Sequence, residues 1–278
     1  MNNDLNYAVE LIRQADGILI TAGAGMSVDS GLPDFRSVGG FWNAYPPPPL
    51  KKFNLQFIDI ATPLAYEQRP ELAKWFFAHR LNQYRQAEPH EGYTILKRWA
   101  ENKQYGYFVF TSNVDGHFRK AGFNESRIYE CHGTLDRLQC MNNCQNQSWW
   151  SYGYKPITDD EQCMVVSEAP TCPNCGGLAR QNVMMFNDYT YCENYQLAKH
   201  IRLNEWLGKA QRPIVIEIGA GKAVPTVRHF SERIAKQKKG GLIRINPIDA
   251  GVPKMHFLSL KMGGLEALRA IDELLQAD

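Results

Sequence analysis

The chain has 278 residues, and its 31 Lys and Arg against 29 Asp and Glu leave a net charge of +2, which excludes a nucleic-acid binder dominated by phosphate contacts. With 44% apolar and 12% aromatic residues it can build a packed core, as one large domain or as a large domain with a small insert. No run of about eighteen apolar residues is present, and the start, MNNDLNYAVELIRQADG, reads as neither a signal nor a transit peptide, so a cytoplasmic protein with no membrane segment is expected.

Residues Leu5 to Gln14 put Leu5, Ala8, Val9 and Ile12 on one helical face, a packing helix that feeds the first strand. That strand is the apolar run Ile18-Leu19-Ile20, which leads into Gly23-Ala24-Gly25. A buried strand ending in glycines ahead of a helix lets backbone N–H groups approach a phosphate. The third glycine of the dinucleotide fingerprint is missing, with Val28 in its place, and no acidic residue closes a second strand, so alone this stretch reads equally as an ordinary tight turn. Past Leu32-Pro33-Asp34-Phe35-Arg36, the run Gly39-Gly40-Phe41-Trp42 and the prolines 46–49 can continue neither a helix nor a central strand and predict a loop. Leu64 to Gln86 predicts one helix, or two broken near Pro70, whose stripe of Trp75, Phe76, Phe77 and Tyr84 belongs in a core. Glu88-Pro89-His90 then makes a turn before a helix from Tyr93 to Glu101.

Tyr107 to Thr111 is a second buried strand. Ser112, Asn113 and Asp115 follow its carboxyl end, where ligands bind in open α/β sheets, although an Asn-x-Asp pair also caps helices. Ile128-Tyr129-Glu130-Cys131 approaches His132-Gly133 in the same way, with Cys131 expected as a small buried residue. An imidazole can take a hydroxyl proton near neutral pH, or serve as a hydrogen-bonded structural group. Seven cysteines, four of them spaced as Cys140-x3-Cys144 and Cys172-x2-Cys175, fit a reducing compartment and a tetrahedral zinc site. Four protein sulfurs leave no open position for chemistry, so the zinc is structural and holds an insert too small for its own core. Cys163 and Cys192 receive no metal role. Pro213 to Ile218 is another strand, ending in Gly219-Ala220-Gly221; Leu242 to Ile245 follows with Asn246 at its tip, and Gly264 to Leu275 closes the chain as an amphipathic helix. Strand tips at 21, 111, 131, 218 and 245, alternating with helical stretches, predict an α/β fold: a doubly wound parallel, Rossmann-like sheet with a smaller zinc-ribbon and helical domain.

GAGMSVDSGLPDFR, TSNVDGHF, His132-Gly133 and the two cysteine pairs occur in the order found in the sirtuins, and over most of its length the chain resembles that family of NAD-dependent protein deacylases. The resemblance implies NAD as co-substrate, held by Gly23, Ala24, Gly25, Ser27, Asp34, Phe35, Arg36, Ser112, Gly219, Ala220, Gly221 and Asn246. Phe35 would shield the reacting ribose, and the loop beyond Arg36 would close over the cofactor. It also implies His132 as general base, Asn113 and Asp115 beside the nicotinamide and its ribose, and an acyl-lysine protein or peptide as substrate. The expected domains are an NAD-binding one of residues 1–38, 92–136 and 180–278, a cofactor loop and helical part at 39–91, and a zinc module at 137–179. In the implied reaction nicotinamide leaves, the acyl oxygen attacks ribose C1′, and His132 takes a ribose hydroxyl proton; the products are nicotinamide, free lysine and O-acyl-ADP-ribose. Capture by a protein side chain would make an ADP-ribosyltransferase, and capture by water a NAD glycohydrolase. A non-catalytic sensor of NAD or ADP-ribose is the reading from another class; the imidazole of His132 favours deacylation.

The chain departs from the family in three places. In RQNVMMFND, Gln181, Asn187 and Asp188 stand where proline, glycine and glutamate are usual beside the peptide groove, and Asn187 is expected to keep the turn because Asn tolerates the left-handed region. Gly-Ala-Gly at 219–221 replaces Gly-Thr-Ser. The Tyr-x-x-Arg pair of the subgroup that removes acidic acyl groups falls on Phe77 and Arg80, and without the phenol Arg80 is expected in solvent. Tyr189, Tyr191 and Tyr195 form an aromatic cluster without a sequence rationale.

Overall fold

Helix α1 (Asn2–Gln14) buries Leu5, Ala8, Val9 and Ile12 and delivers the chain into β1 (Ile18–Ala22), a strand buried on both faces. The structure, a computed structural model, describes residues 2–33, 55–254 and 256–277; Asp34, Phe35, Arg36 and the predicted loop that follows lie outside them. Strand β1 pairs with β2 (Tyr107–Thr111) on one side and β9 (Ile214–Ile218) on the other, both parallel. With β3 (Ile128–Glu130), β10 (Leu242–Ile245) and β11 (Leu258–Leu260) they make a parallel sheet in the order β11-β10-β9-β1-β2-β3. Chain order reverses between β1 and β9, and that is where a doubly wound sheet opens a crevice at the carboxyl ends of its strands. Only β11 was not expected, being a short strand that alternates buried and exposed residues.

Alternation along the strands explains the two core layers. Ile18 and Ile20 face α1, α5 (Glu91–Glu101) and α9 (Gly264–Gln276), while Leu19 faces α7 (Asn194–Lys209) and α8 (Thr226–Gln237). On the second face Phe110 stacks on Phe230 with ring centroids 3.8 Å apart. That layer also carries charge: Arg244 lies opposite Glu217 in the β10–β9 register and donates to both its oxygens at 2.6 and 2.9 Å, and to Glu232 at 2.9 Å. Among the described residues no helix is long and apolar enough to cross a membrane.

The smaller unit grows from the end of β3. Strand β4 (Gly133–Cys140) runs antiparallel to β5 (Ser148–Trp150) and β8 (Ala179–Val183), with a short hairpin of β6 (Thr158–Asp159) and β7 (Met164–Val165) beside them. Helices α2 (Phe57–Ile60), α3 (Pro63–Gln68) and α4 (Pro70–Gln86) cover it. The predicted break at Pro70 is present, because proline opens a helix but cannot continue one. Trp75, Phe76 and Phe77 are buried here with Leu135 and Val183.

Beyond the tip of β4 the sulfurs of Cys140, Cys144, Cys172 and Cys175 all lie within 4.8 Å of one another. Cys140 and Cys175 are 3.6 Å apart, as are Cys144 and Cys172. Four thiolates at about 2.3 Å from a central zinc would be spaced by about 3.8 Å along each tetrahedral edge, so this donor set fits zinc with no ligand position left over. Cys163 and Cys192 are buried outside this cluster, and Cys131 is half-buried, not enclosed as expected, because it sits where the chain leaves the sheet.

Two outcomes test these forces. Arg244→Ala, which strands Glu217 inside the sheet, is expected to cost ~3–5 kcal/mol in urea unfolding, whereas Glu217→Leu combined with Arg244→Met costs much less. A strong chelator should release one zinc per chain and unfold the module around Trp149 and Trp150, read by tryptophan fluorescence; an apo-protein with an unchanged spectrum would overturn the structural role.

Candidate active site

A cavity of about 830 Å³ opens where the carboxyl ends of β1 and β2 face the small unit. Ala24, Ser27, Ser112, Asn113, Asp115 and His132 line its wall on the sheet side. The opposite wall is made by Phe77, Arg80 and Tyr84 of α4 and by residues 183–186, at and just beyond the end of β8. Residues at distant points of the chain thus meet because strand ends β1, β2 and β3 are adjacent in the sheet.

The site residues on the sheet are held by hydrogen bonds to one another. Asn113 donates through Nδ2 to the Gly23 carbonyl at 2.9 Å and to Ser27 Oγ at 3.2 Å. Ser27 donates to Asp115 Oδ2 at 2.6 Å, and the other oxygen of Asp115 accepts the His117 amide at 2.9 Å. The Tyr93 hydroxyl lies 3.1 Å from Ser27 Oγ. Next to it His90 uses Nδ1 to accept the Gly92 amide and Nε2 to reach the Met26 carbonyl at 2.8 Å, so its proton is on Nε2; burial holds its pKa down, and the ring stays neutral. Ser112 Oγ is buried at the cavity wall with no hydrogen-bond partner among the described residues, an orphan that the polar edge of a bound nucleotide would satisfy.

His132 is half-buried, and its carbonyl accepts the Met184 amide at 2.9 Å, which ties it to the segment across the cavity. Gly133 turns the chain at φ +77°; a Cβ there would meet the Asn182 carbonyl at 2.2 Å, so only glycine lets β4 depart directly after the imidazole.

Gly23, Gly25, Gly219, Ala220, Gly221 and Asn246 do not line the cavity. The Gly23 and Gly25 amides donate to the Ile218 and Gly219 carbonyls at 3.0 Å each. Their missing side chains allow a close loop-to-loop contact: a Cβ on Gly25 would lie 2.7 Å from Gly219 Cα, and one on Gly23 the same distance from the Gly219 carbonyl. Asn246 is likewise occupied, donating to the Ala220 carbonyl at 3.1 Å and accepting the amides of Ile248 and Asp249. The stretch after β1 is a 3-10 helix, Ala24–Ser30, ended by Gly31.

Arg80 is not in solvent. It is 5% exposed, donates to the Tyr84 hydroxyl at 2.9 Å, and lies 5.2–5.6 Å from the ring centroids of Phe57, Phe76 and Tyr84. The partner phenol stands one turn after the arginine and not before it, a signal available in the i, i+4 spacing of α4. Burial raises the Tyr84 pKa, so its hydroxyl keeps its proton and remains a donor.

The altered RQNVMMFND segment keeps its turn, with Asn187 at φ +54°. Asp188 is buried against Arg180 at 2.7 Å and accepts the amide of Thr190, so it braces the segment from behind. Tyr195 packs under the Arg137 guanidinium at 3.7 Å, which accounts for that tyrosine, while Tyr189 is 96% exposed. Nothing in the structure explains Gln181.

A sequence model of the Sir2 family matches residues 23–219. A NAD-dependent protein deacylase of Thermococcus kodakarensis is 26% identical over 98% of this chain and 97% of its own length. Another, from Aeropyrum pernix, is 29% identical over 92% of this chain and 91% of its own length. Among solved structures, a Sir2 homolog in complex with NAD superposes with a TM-score of 0.72 at 23% identity, covering 98% of this chain and 94% of that one, and so shares the fold. The glycine-ended strands, the zinc ribbon and the cavity between them belong to a recognised lineage: this chain is a member of the Sir2 family.

Proposed function

We propose that the protein is a NAD-dependent protein-lysine deacylase, an acyl transferase that moves the acyl group of a lysine side chain onto ADP-ribose and releases nicotinamide. One observation carries this reading: Asn113, Asp115 and His132 come from two neighbouring strand ends to a single cavity wall. Bound NAD supplies the labile glycosidic bond. Asp115 offers a carboxylate to ribose hydroxyls, Asn113 a polar edge to the nicotinamide, and His132 an imidazole able to hold a hydroxyl proton. Ala24, Ser112 and residues beyond the described segment, Asp34, Phe35 and Arg36, complete the proposed NAD site. The lysine-bearing peptide would lie along residues 183–186, whose Met184 is half exposed. A cytoplasmic setting suits four thiolates that must stay reduced.

The acyl end points to a narrower class. The buried guanidinium of Arg80 and the protonated hydroxyl of Tyr84 lie side by side in the cavity wall, the two donors that a terminal carboxylate needs. An acidic acyl chain is therefore favoured over acetyl.

Incubation with NAD and a panel of acetyl-, butyryl- and succinyl-lysine peptides, with products weighed by mass spectrometry, tests the reaction. O-acyl-ADP-ribose supports deacylation; a mass gain on protein would mean ADP-ribosyl transfer, free ADP-ribose hydrolysis, and bound but unconsumed NAD a sensor. His132→Ala should slow deacylation by about 10²- to 10⁴-fold. Arg80→Met should lower kcat/KM for the succinyl peptide by about tenfold or more while sparing the acetyl peptide, since a hydrogen bond to a charged group is worth roughly 1.5–3 kcal/mol; equal losses on both would refute the carboxylate role.

A further inference from the structure

We propose that Tyr93 is a positioning residue for this reaction, acting through Ser27 to hold Asp115 and Asn113 against the nucleotide; this rests on the deacylase reading above. Tyr93 is wholly buried in α5 and does not itself line the cavity; its hydroxyl reaches the wall through Ser27. Its ring is fixed by His90 and Phe118, each with centroids 4.9 Å away, and by the edge of His117 at 5.8 Å.

Proton counting gives the direction of every bond in the cluster. Ser27 has one hydroxyl proton and two lone pairs. Asp115 as a carboxylate can only accept, so the serine proton goes to Asp115 Oδ2 at 2.6 Å. The two remaining neighbours, Asn113 Nδ2 at 3.2 Å and the Tyr93 hydroxyl at 3.1 Å, must then both donate to Ser27 Oγ. Burial holds the phenol pKa well above its ordinary value, so Tyr93 always has that proton to give. Ser27 is thereby saturated. It has no capacity left for a ligand, and its part is to aim the carboxylate and the amide.

Donation by Tyr93 also polarises the serine hydroxyl and strengthens its own donation to Asp115. Without the phenol, one lone pair of Ser27 is left buried and unpaired, and the serine is free to turn away from Asp115. Asp115 would then keep only the His117 amide, and its cavity-facing lone pairs would lose their fixed direction.

Steady-state kinetics of Tyr93→Phe, which keeps the ring and removes only the hydroxyl, tests this. The expected result is a rise in KM for NAD of roughly three- to tenfold, the worth of one neutral hydrogen bond. kcat and the peptide KM should stay close to wild type, with the melting temperature lowered by no more than the few degrees a single lost hydrogen bond is worth; a purely structural role would show that loss alone and leave KM for NAD unmoved. In a Ser27→Ala background the same substitution should add nothing, because its route of action is gone. An unchanged KM for NAD in Tyr93→Phe, or an equal effect with and without Ser27, overturns the proposal. A wild-type protein that binds NAD without consuming it would defeat the deacylase reading alone, and the same cycle read as NAD affinity by calorimetry would still decide the role of Tyr93; failure to bind NAD at all defeats both.

Discussion

The loop leaving β1 and the loop leaving β9 meet backbone to backbone. Gly219, at φ +63°, packs so tightly on Gly25 and Met26 that a Cβ would fall 2.3 Å from their backbone atoms. Side chains at Gly23, Gly25 or Gly219 would wedge the loops apart at the point where the winding of the sheet reverses. Parallel sheets place their ligand crevice at that reversal, and here the two loops behind it are held together by a bare backbone contact. These glycines therefore act first on the protein itself.

The cavity wall is built by side chains that correct one another. Asn113 hangs from the Gly23 carbonyl, Ser27 joins Asn113 to Asp115, and Tyr93 closes the cluster from behind. Ser27, Asn113 and Asp115 are thus preorganised, since each has its partners before anything binds. The imidazole of His132 stands just before β4, and the first zinc ligand, Cys140, ends that same strand. Metal and candidate base are thus mechanically joined, although the four sulfurs hold no position open for chemistry. The amide of Met184 on the His132 carbonyl ties the third side of the cavity to the same point.

Two of the departures from the family pattern are local repairs. Asn187 adopts the left-handed backbone that glycine usually supplies, and Asp188 turns inward to neutralise a buried Arg180. The exposed edge facing the cavity is made of residues 183–186, which these changes leave in place. At the Gly-Ala-Gly turn Arg228 and Asn246 both donate to the Ala220 carbonyl.

Periodicity alone located α1, β1, β2, β9, β10 and α9, because each is long enough for its apolar pattern to be read without neighbours. The order of the motifs revealed the family, and cysteine spacing the metal site, since ligand geometry constrains sequence separation directly. Short β11 escaped, being a strand only by virtue of the edge it completes. Partnerships across the fold escaped as well. Arg80 was expected in water because its phenol was sought on the wrong side of it along the helix, and Glu217 within an apolar strand made no sense before Arg244 appeared opposite. Which polar group faces which is settled by the register of strands far apart in the chain, and a linear sequence carries no measure of that distance.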